Sequence, residues 1–596
     1  MGRRSRHRRR PRPAERSAPP PSDVSSGPGP GTLVWAAALF LTAFSIRVLF
    51  WRATADAGWP HTAYFKGDAL LWLEYAHALL AGRPFELGLP IHPPGTGYLV
   101  ALLAGGETTG LVVLKVAWCA LGALAVTLAA WSMERALGAG VGRVAGALMA
   151  GFTGLLMLST SLNSETPYLA LVAASFCALA VVGDPPRLLP IALWAALGGT
   201  ACLFRVEHAL FFALAVVFLA ARWRRSPRPL ALALAAFVLP LLPWHLGAWA
   251  ALDRFNRVPP ELAAGPRRDA ADRLAETPWD PQARARRDAL PAFARDTAAT
   301  FVAATVAHRG GDRVRAEDFD ILRHAFGSEP SPLAARPFVS LYGPLNFALA
   351  HHPGATAGFG TAALEEPPPL RPRPDAYPPE LARGLPPPEL ALTYPPHLAL
   401  LNDGYTIGWK WMRADPGRAL RLAAQKLDRF WAGASLGLTG YGAPLGIEGT
   451  RYAVDLAVPD AGVIARSWRI LVLCGCVLGA IAGWRRPGVG PWLLFLGSKA
   501  VTAALFFGYA RLGASAIPAV AVLLALAVER AATGRFAIRL RASAPPLALT
   551  MLLLLASVEA VRFSQRPPLL LDGRAAGPRD PVPPDDHRDH RLDRAR

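Results

Sequence analysis

Eleven separate apolar runs, most of them close to the length of a membrane-crossing helix, constrain the fold of this chain more than any other feature. A helix needs about 20 mostly apolar residues to cross the hydrocarbon core of a bilayer. The runs predict an all-α polytopic membrane protein with about eleven transmembrane helices, in a range of about ten to thirteen. They cover 33–53, 111–132, 143–161, 165–182, 188–205, 208–221, 230–252, 467–484, 490–508, 513–529 and 545–562.

The composition agrees with a membrane protein and argues against a soluble nucleic-acid binder. Of 596 residues, 52% are hydrophobic and 18% are charged, whereas a soluble domain carries about 25% charged residues. A formal net charge of +20 would by itself suggest a phosphate-rich partner, but no nucleic-acid-binding motif accompanies it. The five cysteines all lie in apolar runs, so we expect neither a disulfide framework nor a zinc site.

The basic residues of the short loops predict the orientation of the spans. Cytoplasmic loops of membrane proteins carry an excess of Lys and Arg. The basic N-terminal tail and the loops "RWRRSPR", "WRRP" and "ERAATGRFAIRLR" all fall on one side if the spans alternate, which places the N-terminus in the cytoplasm. The Ala-, Arg-, Gly- and Pro-rich composition suggests a GC-rich bacterial genome, so we expect a bacterial inner membrane. No small-residue cleavage site follows the first span, so we expect no cleavable signal peptide.

This topology divides the chain into membrane parts and outer parts. An N-terminal transmembrane module, 33–252, contains a first outer loop, 54–110, and the C-terminal transmembrane helices occupy 467–562. Between them lies a large extracytoplasmic loop, 253–466, with helical patterns at 281–309 and 397–434 and a Pro-rich segment, 366–396, that cannot be helix or central strand. We expect disorder in the cytoplasmic tail, 1–32, and in the extracytoplasmic tail, 563–596.

Five cations fall in the outer half of the predicted spans or at their outer edge, while the inner half is nearly free of charge. Two interpretations are open: the long side chains reach the outer headgroups, or they hold an anionic group at the outer leaflet. Isolated intramembrane cations are rare, and five on one side favour the second interpretation. They are Arg47, Lys115, Arg205, Lys499 and Arg511.

The first outer loop combines a surface helix with a tight turn. Residues 68–80 have an apolar face typical of a helix lying on the membrane surface. Asp68 stands at the start of this helix, where a carboxylate can cap the first turn. The motif "HPPG" then forces a turn before the chain enters the membrane again, and it places His92 at the interface.

Several stretches in the same order resemble the C-superfamily of membrane glycosyltransferases. This family includes the protein O-mannosyltransferases, the lipid A aminoarabinose transferases and related bacterial enzymes. His351 and His352 replace an Asn pair of the family's large loop. The stretches are "GDALLWLEYAHALLAGRPF…HPPGTGYLVALL", "LSTSLNSETPYLALVAASF", "GGTACLFRVEHALFF", "LYGPLNFALAHHPGATAGF", "WKWMRADPGRALRLAAQKLDRFW" and "ARLGASAIPAVAVLLALA".

The resemblance implies inverting transfer of a sugar from a polyprenyl-phosphate donor to a glycan, lipid or protein acceptor at the outer face. Asp68 corresponds to the family's catalytic Asp, which accepts the proton of the incoming hydroxyl. Glu165 corresponds to its second acidic position. Neither a carboxylate nucleophile nor a metal or cofactor is required. Cations would hold the charge of the leaving phosphate; the candidates are His92, Lys115, Arg205, Lys499 and Arg511.

Simpler interpretations of these residues stay open at this stage. Glu165 also fits the role of a favourable charge at a helix N-terminus, and Arg205 and Glu207 are close enough in sequence to pair with each other. Family members with an Asp-Glu pair have adjacent acids, whereas Ala69 follows Asp68 here and the next acid is Glu74.

A rival class of function is a lipid or glycan transporter, or a non-catalytic envelope assembly protein. It would share the spans, the membrane lipids as partners and the outer-leaflet charges. A transporter should also have charged or broken spans that reach the inner leaflet, and the pattern here lacks them.

Overall fold

The computed structural model describes most of the predicted membrane part and portions of the outer loop. The described residues are 30–53, 68–82, 85, 89–104, 108–183, 185–223, 227–257, 278–290, 295, 298, 299, 302, 303, 306, 313–319, 333–360, 363, 364, 395–435, 462–508 and 510–533. The last predicted span, 545–562, and both tails up to residue 29 and from residue 534 lie outside them, as does nearly all of the Pro-rich segment.

Helices form the regular structure of these ranges, in which no β-strand occurs, in agreement with the predicted all-α class. One isolated bridge joins Trp279 and Val314. The helices of the N-terminal half are α1 (Pro30–Ala53), α2 (Asp68–Leu80), α3 (Gly95–Ala104), α4 (Thr108–Leu137), α5 (Ala139–Gly151), α6 (Thr153–Thr160), α7 (Glu165–Ala180), α8 (Leu188–Cys202), α9 (His208–Arg222), α10 (Arg228–Val238) and α11 (Leu242–Arg257), with a 3₁₀ turn (Leu239–Leu241) between the last two.

The second half contains the helices of the predicted outer loop and those of the predicted late spans. The predicted helical stretch 397–434 is confirmed as two helices that meet at Asp415, and only the first turns of 281–309 form a described helix. The helices are α12 (Pro281–Asp288), α13 (Tyr342–His351), α14 (Pro395–Ala414), α15 (Pro416–Ala434), α16 (Gly462–Gly483), α17 (Gly490–Leu505), α18 (Ala510–Ala514) and α19 (Ile517–Thr533).

Several of the helices suit a membrane by length and composition. Within the described ranges, three are long and apolar enough to cross one: Gly31–Arg52, Val112–Leu137 and Arg228–Asp253. The pair α5 and α6 adds a fourth if its two halves form one span bent by 58°. Shorter apolar helices occupy four further predicted spans. The membrane class is therefore supported, and the count of about eleven stays a prediction.

One apolar core joins the membrane helices into a bundle. The helix α4 lies against α1, α5 and α7, and its buried side chains include Ala123, Val126 and Met133. Elsewhere in the bundle, glycines permit neighbouring helices to approach each other closely. A side chain at Gly199 of α8 would collide with the carbonyl of Phe237, and one at Gly479 of α16 with that of Leu523.

Several helix ends and loops that are predicted to be cytoplasmic meet at one end of this bundle. Thr32 Oγ1 donates to Glu134 Oε1 over 3.1 Å, which ties the start of α1 to the end of α4. Gly488, in the basic "WRRPG" loop, packs against Ala136, and Arg486 pairs with Glu529 over 2.7 Å. The start of α7 belongs to the opposite end of the bundle, because Trp118, in the first half of α4, donates to Asn163 O over 3.0 Å.

The described outer-loop helices form a second apolar cluster. It joins Leu345 and Leu349 of α13, Leu401 of α14 and Phe507, which follows α17. Through Phe507, the large loop is packed directly onto the late membrane helices.

Candidate active site

The site begins with a break between two helices, α6 and α7. Asn163 fills this break: its Nδ2 donates to Leu158 O over 2.6 Å, and its Oδ1 accepts from the backbone N–H of Thr166 over 2.9 Å. The second contact satisfies one of the free N–H groups of the first turn of α7. Asn163 therefore fixes where α7 begins, and its first residue is Glu165.

Glu165 is completely buried; it accepts a hydrogen bond from one arginine and forms an ion pair with a second. Its Oε1 accepts from Arg205 Nη1, and Arg511 Nε lies 3.2 Å from the same oxygen. A buried carboxylate is tolerable only when it is paired. The position at the helix N-terminus is also favourable to a negative charge, which agrees with the simpler interpretation of Glu165, and a role of Glu165 in catalysis stays a prediction.

Glu207 bridges a second pair of cations. Arg205 Nε donates to its Oε1, and Lys499 Nζ lies 3.2 Å from that oxygen. Arg205 thus pairs both with its neighbour in sequence and with the more distant Glu165. The sequence signal for Glu207 was its position two residues after Arg205, and the structure adds its contact with Lys499.

An aromatic residue completes the surroundings of Lys499. Its Nζ lies 4.2 Å from the centre of the Tyr168 ring, within the range of a cation–π interaction. Tyr168 Oη in turn hydrogen-bonds His208 Nδ1 over 3.0 Å. Neither Tyr168 nor His208 was singled out from the sequence, although Tyr168 lies one helical turn after Glu165, on the same face of α7.

These contacts unite four of the predicted site residues in one group, which we call the ion cluster. Three cations share two carboxylates, so the group carries one positive charge in excess. Lys499 is 1% exposed and the side chains of the two arginines are 15% and 18% exposed, so all three cations are held mainly by contacts inside the protein. The ion cluster consists of Glu165, Arg205, Glu207, Lys499 and Arg511.

His92 lies between the first outer loop and the large loop. Its ring is 5.9 Å from that of Trp72 in α2 and 4.3 Å from that of Tyr342 in α13, edge to face in both cases. The turn that carries His92 is docked by a 2.8 Å hydrogen bond from Gly95 N to Leu203 O. Since Leu203 precedes Arg205 by two residues, this turn adjoins the ion cluster.

Asp68 begins the surface helix that the sequence predicts. The helix α2 spans Asp68–Leu80, and the Asp68 side chain lies outside the described residues. Ala69 and Trp72, in its first turns, belong to one apolar cluster with Trp118 and Leu162. The start of α2 is therefore packed near the break that positions Glu165.

Lys115 occupies a different place from the other predicted cations. It is 1% exposed, and its Nζ donates to Thr160 O at the end of α6. Arg47 is likewise buried and donates to Ser159 Oγ over 2.9 Å. These two residues support the end of α6, and their described contacts do not join them to the ion cluster.

Among the residues that the structure describes, no three His, Cys, Asp or Glu side chains form a group that could hold a metal ion. The described contacts of the ion cluster are instead suited to an anion, because its cations outnumber its carboxylates.

Comparisons with known proteins give one similarity. No family model matches the sequence, and no curated protein matches it. Among solved structures, the chain is similar to ArnT from Cupriavidus metallidurans in the apo state, with 13% identity over 85% of this chain and 78% of that chain and a TM-score of 0.31. The function proposed below rests on the residues of this chain.

Proposed function

We propose that this protein is an inverting membrane glycosyltransferase. It moves a sugar from a polyprenyl-phosphate-linked donor to an acceptor at the outer face of a bacterial inner membrane, with the N-terminus in the cytoplasm. The single observation that carries the proposal is the ion cluster. It buries three cations next to the first residues of α7 and α9, and the charge pattern predicts that this end of the bundle faces outside.

The ion cluster supports binding of the donor phosphate. A phosphate monoester leaves with its negative charge and does not need an acid to protonate it, provided that cations are already in position. Arg205 offers a planar guanidinium for paired contacts with phosphate oxygens, and Lys499 offers a compact charge. An entering phosphate competes with Glu165 and Glu207 for these cations, so the carboxylates keep the cations in place before the donor arrives.

The position of α2 supports Asp68 as the base. The acceptor oxygen forms a bond to the anomeric carbon of the donor sugar while the bond from that carbon to the phosphate oxygen breaks. Both electrons of the broken bond leave with the phosphate, and the acceptor proton passes to the Asp68 carboxylate. Attack from the face opposite the phosphate inverts the anomeric centre. His92, on the turn beside Leu203, extends the cationic side of the site when it is protonated.

A transporter or a non-catalytic assembly protein remains the rival class. It would not need a carboxylate at the start of the surface helix, so Asp68 separates the two functions.

Replacement of Asp68 tests the proposal. In a host strain that lacks this gene, mass spectrometry of the cell-envelope glycans identifies the sugar that disappears. We expect wild-type protein to restore that sugar and Asp68→Asn to leave it absent, at equal amounts of membrane-inserted protein by immunoblot.

The matched control is Glu74→Gln, which removes an exposed acid from the same helix and should restore the glycan fully. Restoration of the glycan by Asp68→Asn would overturn the assignment of the base. An unchanged glycan profile in the deletion strain would contradict the proposed glycosyltransferase.

A further inference from the structure

A second buried cation site lies apart from the ion cluster. Arg47 belongs to α1, six residues before that helix ends at Ala53, and its side chain is completely buried. Its Nε donates to Ser159 Oγ over 2.9 Å, and its Nη1 donates to Ala43 O over 3.0 Å. The third nitrogen, Nη2, is buried and has no hydrogen-bond partner among the residues that the structure describes.

Arg47 lines a small cavity between α1, α4, α6 and α7. The cavity measures about 20 Å³, which is room for one small occupant. Ser159 and Thr166 also line it, and the rest of its wall is mainly apolar, with Leu158, Leu169 and Trp492 among the lining residues. The buried guanidinium thus borders a space that can hold a ligand.

The charge of Arg47 is not balanced by a carboxylate in the described part of the chain. Lys115 adds a second buried cation close by, since its Nζ donates to Thr160 O, next to Ser159. An unpaired ion in a low-dielectric interior costs several kcal/mol, and intramembrane cations are therefore paired with an anion or carbonyl groups. Arg47 has one carbonyl acceptor and one hydroxyl acceptor, neither of which carries a charge.

The size and the wall of the cavity select the class of anion. Ser159 Oγ and Thr166 Oγ1 already donate to Leu155 O and Leu158 O, so the free donors at the cavity are those of the Arg47 guanidinium, and phosphate and carboxylate ligands need more room and more donors than it supplies. A halide is a single atom that accepts N–H donors and tolerates apolar contacts on its other sides. We propose that the cavity beside Arg47 binds one chloride ion.

The proposed chloride site does not depend on the glycosyltransferase function. It has a consequence for the fold, because Ser159 lies in the last turn of α6 and the break that positions Glu165 follows directly. An anion that holds Arg47 against Ser159 stabilises this part of the bundle.

Unfolding in matched salts tests the site. For the full-length protein in detergent micelles, we expect the unfolding temperature to rise with sodium chloride in a saturable way by about 2–4 °C, and not to rise with sodium gluconate at equal ionic strength. Arg47→Met should abolish this difference between salts. Arg52→Gln, at the exposed end of the same helix, should retain it. Equal responses to chloride and gluconate, or an unchanged chloride response in Arg47→Met, would overturn the proposal.

A measurement on the wild-type protein covers the case in which Arg47→Met does not fold. In crystals grown with bromide, we expect an anomalous peak within hydrogen-bond distance of Arg47 Nη2. Density in the cavity without an anomalous signal would identify the occupant as water and would also overturn the chloride site.

Discussion

Arg205 pairs with both carboxylates of the ion cluster. Its Nη1 donates to Glu165 and its Nε donates to Glu207, so one guanidinium connects the start of α7 with the start of α9. Among the described ion pairs, Lys499 lies against Glu207 and Arg511 against Glu165. The three cations therefore have unequal structural roles, although the sequence presents them as equivalent candidates.

Arg205→Gln should destabilise the protein strongly, because it leaves both carboxylates without the cation they share. We expect the free energy of unfolding in detergent to fall by about 3–5 kcal/mol, the range for breaking a buried ion pair. Arg511→Gln should cost clearly less, since Glu165 keeps Arg205. Equal losses in the two variants would contradict this arrangement.

Lys499→Gln should separate phosphate binding from stability. Glu207 keeps Arg205 in this variant, so we expect it to remain folded. Binding of undecaprenyl phosphate, measured by titration calorimetry in micelles, should weaken about tenfold, which corresponds to about 1.4 kcal/mol. Lys410→Gln, an exposed lysine of α14, is the control, and a similar loss of affinity there would point to non-specific attraction.

Lys426 is a buried lysine that the sequence did not single out. It is 0% exposed, it lies on the buried face of α15 between Leu422 and Phe430, and its Nζ donates to Ala350 O over 3.0 Å. Burial, and to a lesser degree the nearby charge of Arg418, lowers the pKa of its amine to about 7.

The low pKa of Lys426 should make stability depend on pH in a defined window. The unfolded chain, with a lysine pKa of about 10.4, binds more protons than the folded protein between pH 7 and pH 10. Stability therefore rises with pH across this window, and the contribution of Lys426 is constant below pH 7. Burial lowers the pKa of His351 to about 4, so His351 is neutral throughout the window.

Lys426→Met should flatten this rise in the unfolding temperature between pH 7 and pH 10, compared with wild type. Lys410→Met should follow the wild-type curve, because Lys410 is exposed. An identical pH dependence in wild type and Lys426→Met would contradict the inferred pKa.

At the scale of elements, the contact between α15 and α18 positions one cation of the ion cluster. Gly433 of α15 lies so close to Ala510 that an added side chain would collide with its carbonyl group. Ala510 directly precedes Arg511, so the approach of these two helices fixes the direction from which Arg511 reaches Glu165.

Gly433→Ala should therefore lower both stability and sugar transfer, because α15 must move away from α18. We expect a loss in unfolding temperature and in the glycan that complementation restores. Gly417→Ala is the matched control: it lies on the same helix, is exposed, and meets only side-chain atoms at 3.4 Å or more. Alanine is the better helix former there, so Gly417→Ala should leave stability equal or higher.

The helices show which structural features could be predicted from the sequence. The apolar spacing of 68–80 predicted α2 with its observed bounds, whereas 397–434 was predicted as one helical stretch and forms two helices, α14 and α15. Here Pro416 occupies the first turn of α15, and Asp415 Oδ1 accepts from Arg418 N over 2.8 Å. Periodicity, Pro and cap residues act locally, so they can be recognised without the tertiary structure. The bend between α5 and α6 has no such marker, and the sequence suggested one unbroken span.

At the scale of the whole molecule, charge and contacts divide the bundle into two ends. The contacts of Thr32 with Glu134 and of Gly488 with Ala136 belong to the end predicted to be cytoplasmic. The ion cluster and α2 belong to the other end.

Cysteine labelling in intact cells should confirm this orientation. In a cysteine-free background, we expect Arg413→Cys to react with a membrane-impermeant maleimide in intact spheroplasts, because α14 belongs to the outer loop. Arg485→Cys, in the basic "WRRP" loop, should react only after permeabilisation. Both side chains are exposed, and the reverse pattern would invert the topology and move the ion cluster to the cytoplasmic face.

The sequence by itself determined the class of the molecule, the helix that begins at Asp68 and the residue types of the site. These depend on the apolar length needed to cross a bilayer, on periodicity and on the cost of burying charge, all of which act along the chain. Only the tertiary structure decided which charges meet. It joined Glu165, Arg205, Glu207, Lys499 and Arg511 from four parts of the chain, placed Lys115 and Arg47 against the end of α6 instead, and buried Lys426. Partner choice depends on which helices approach each other, and that is set by packing between residues far apart in sequence.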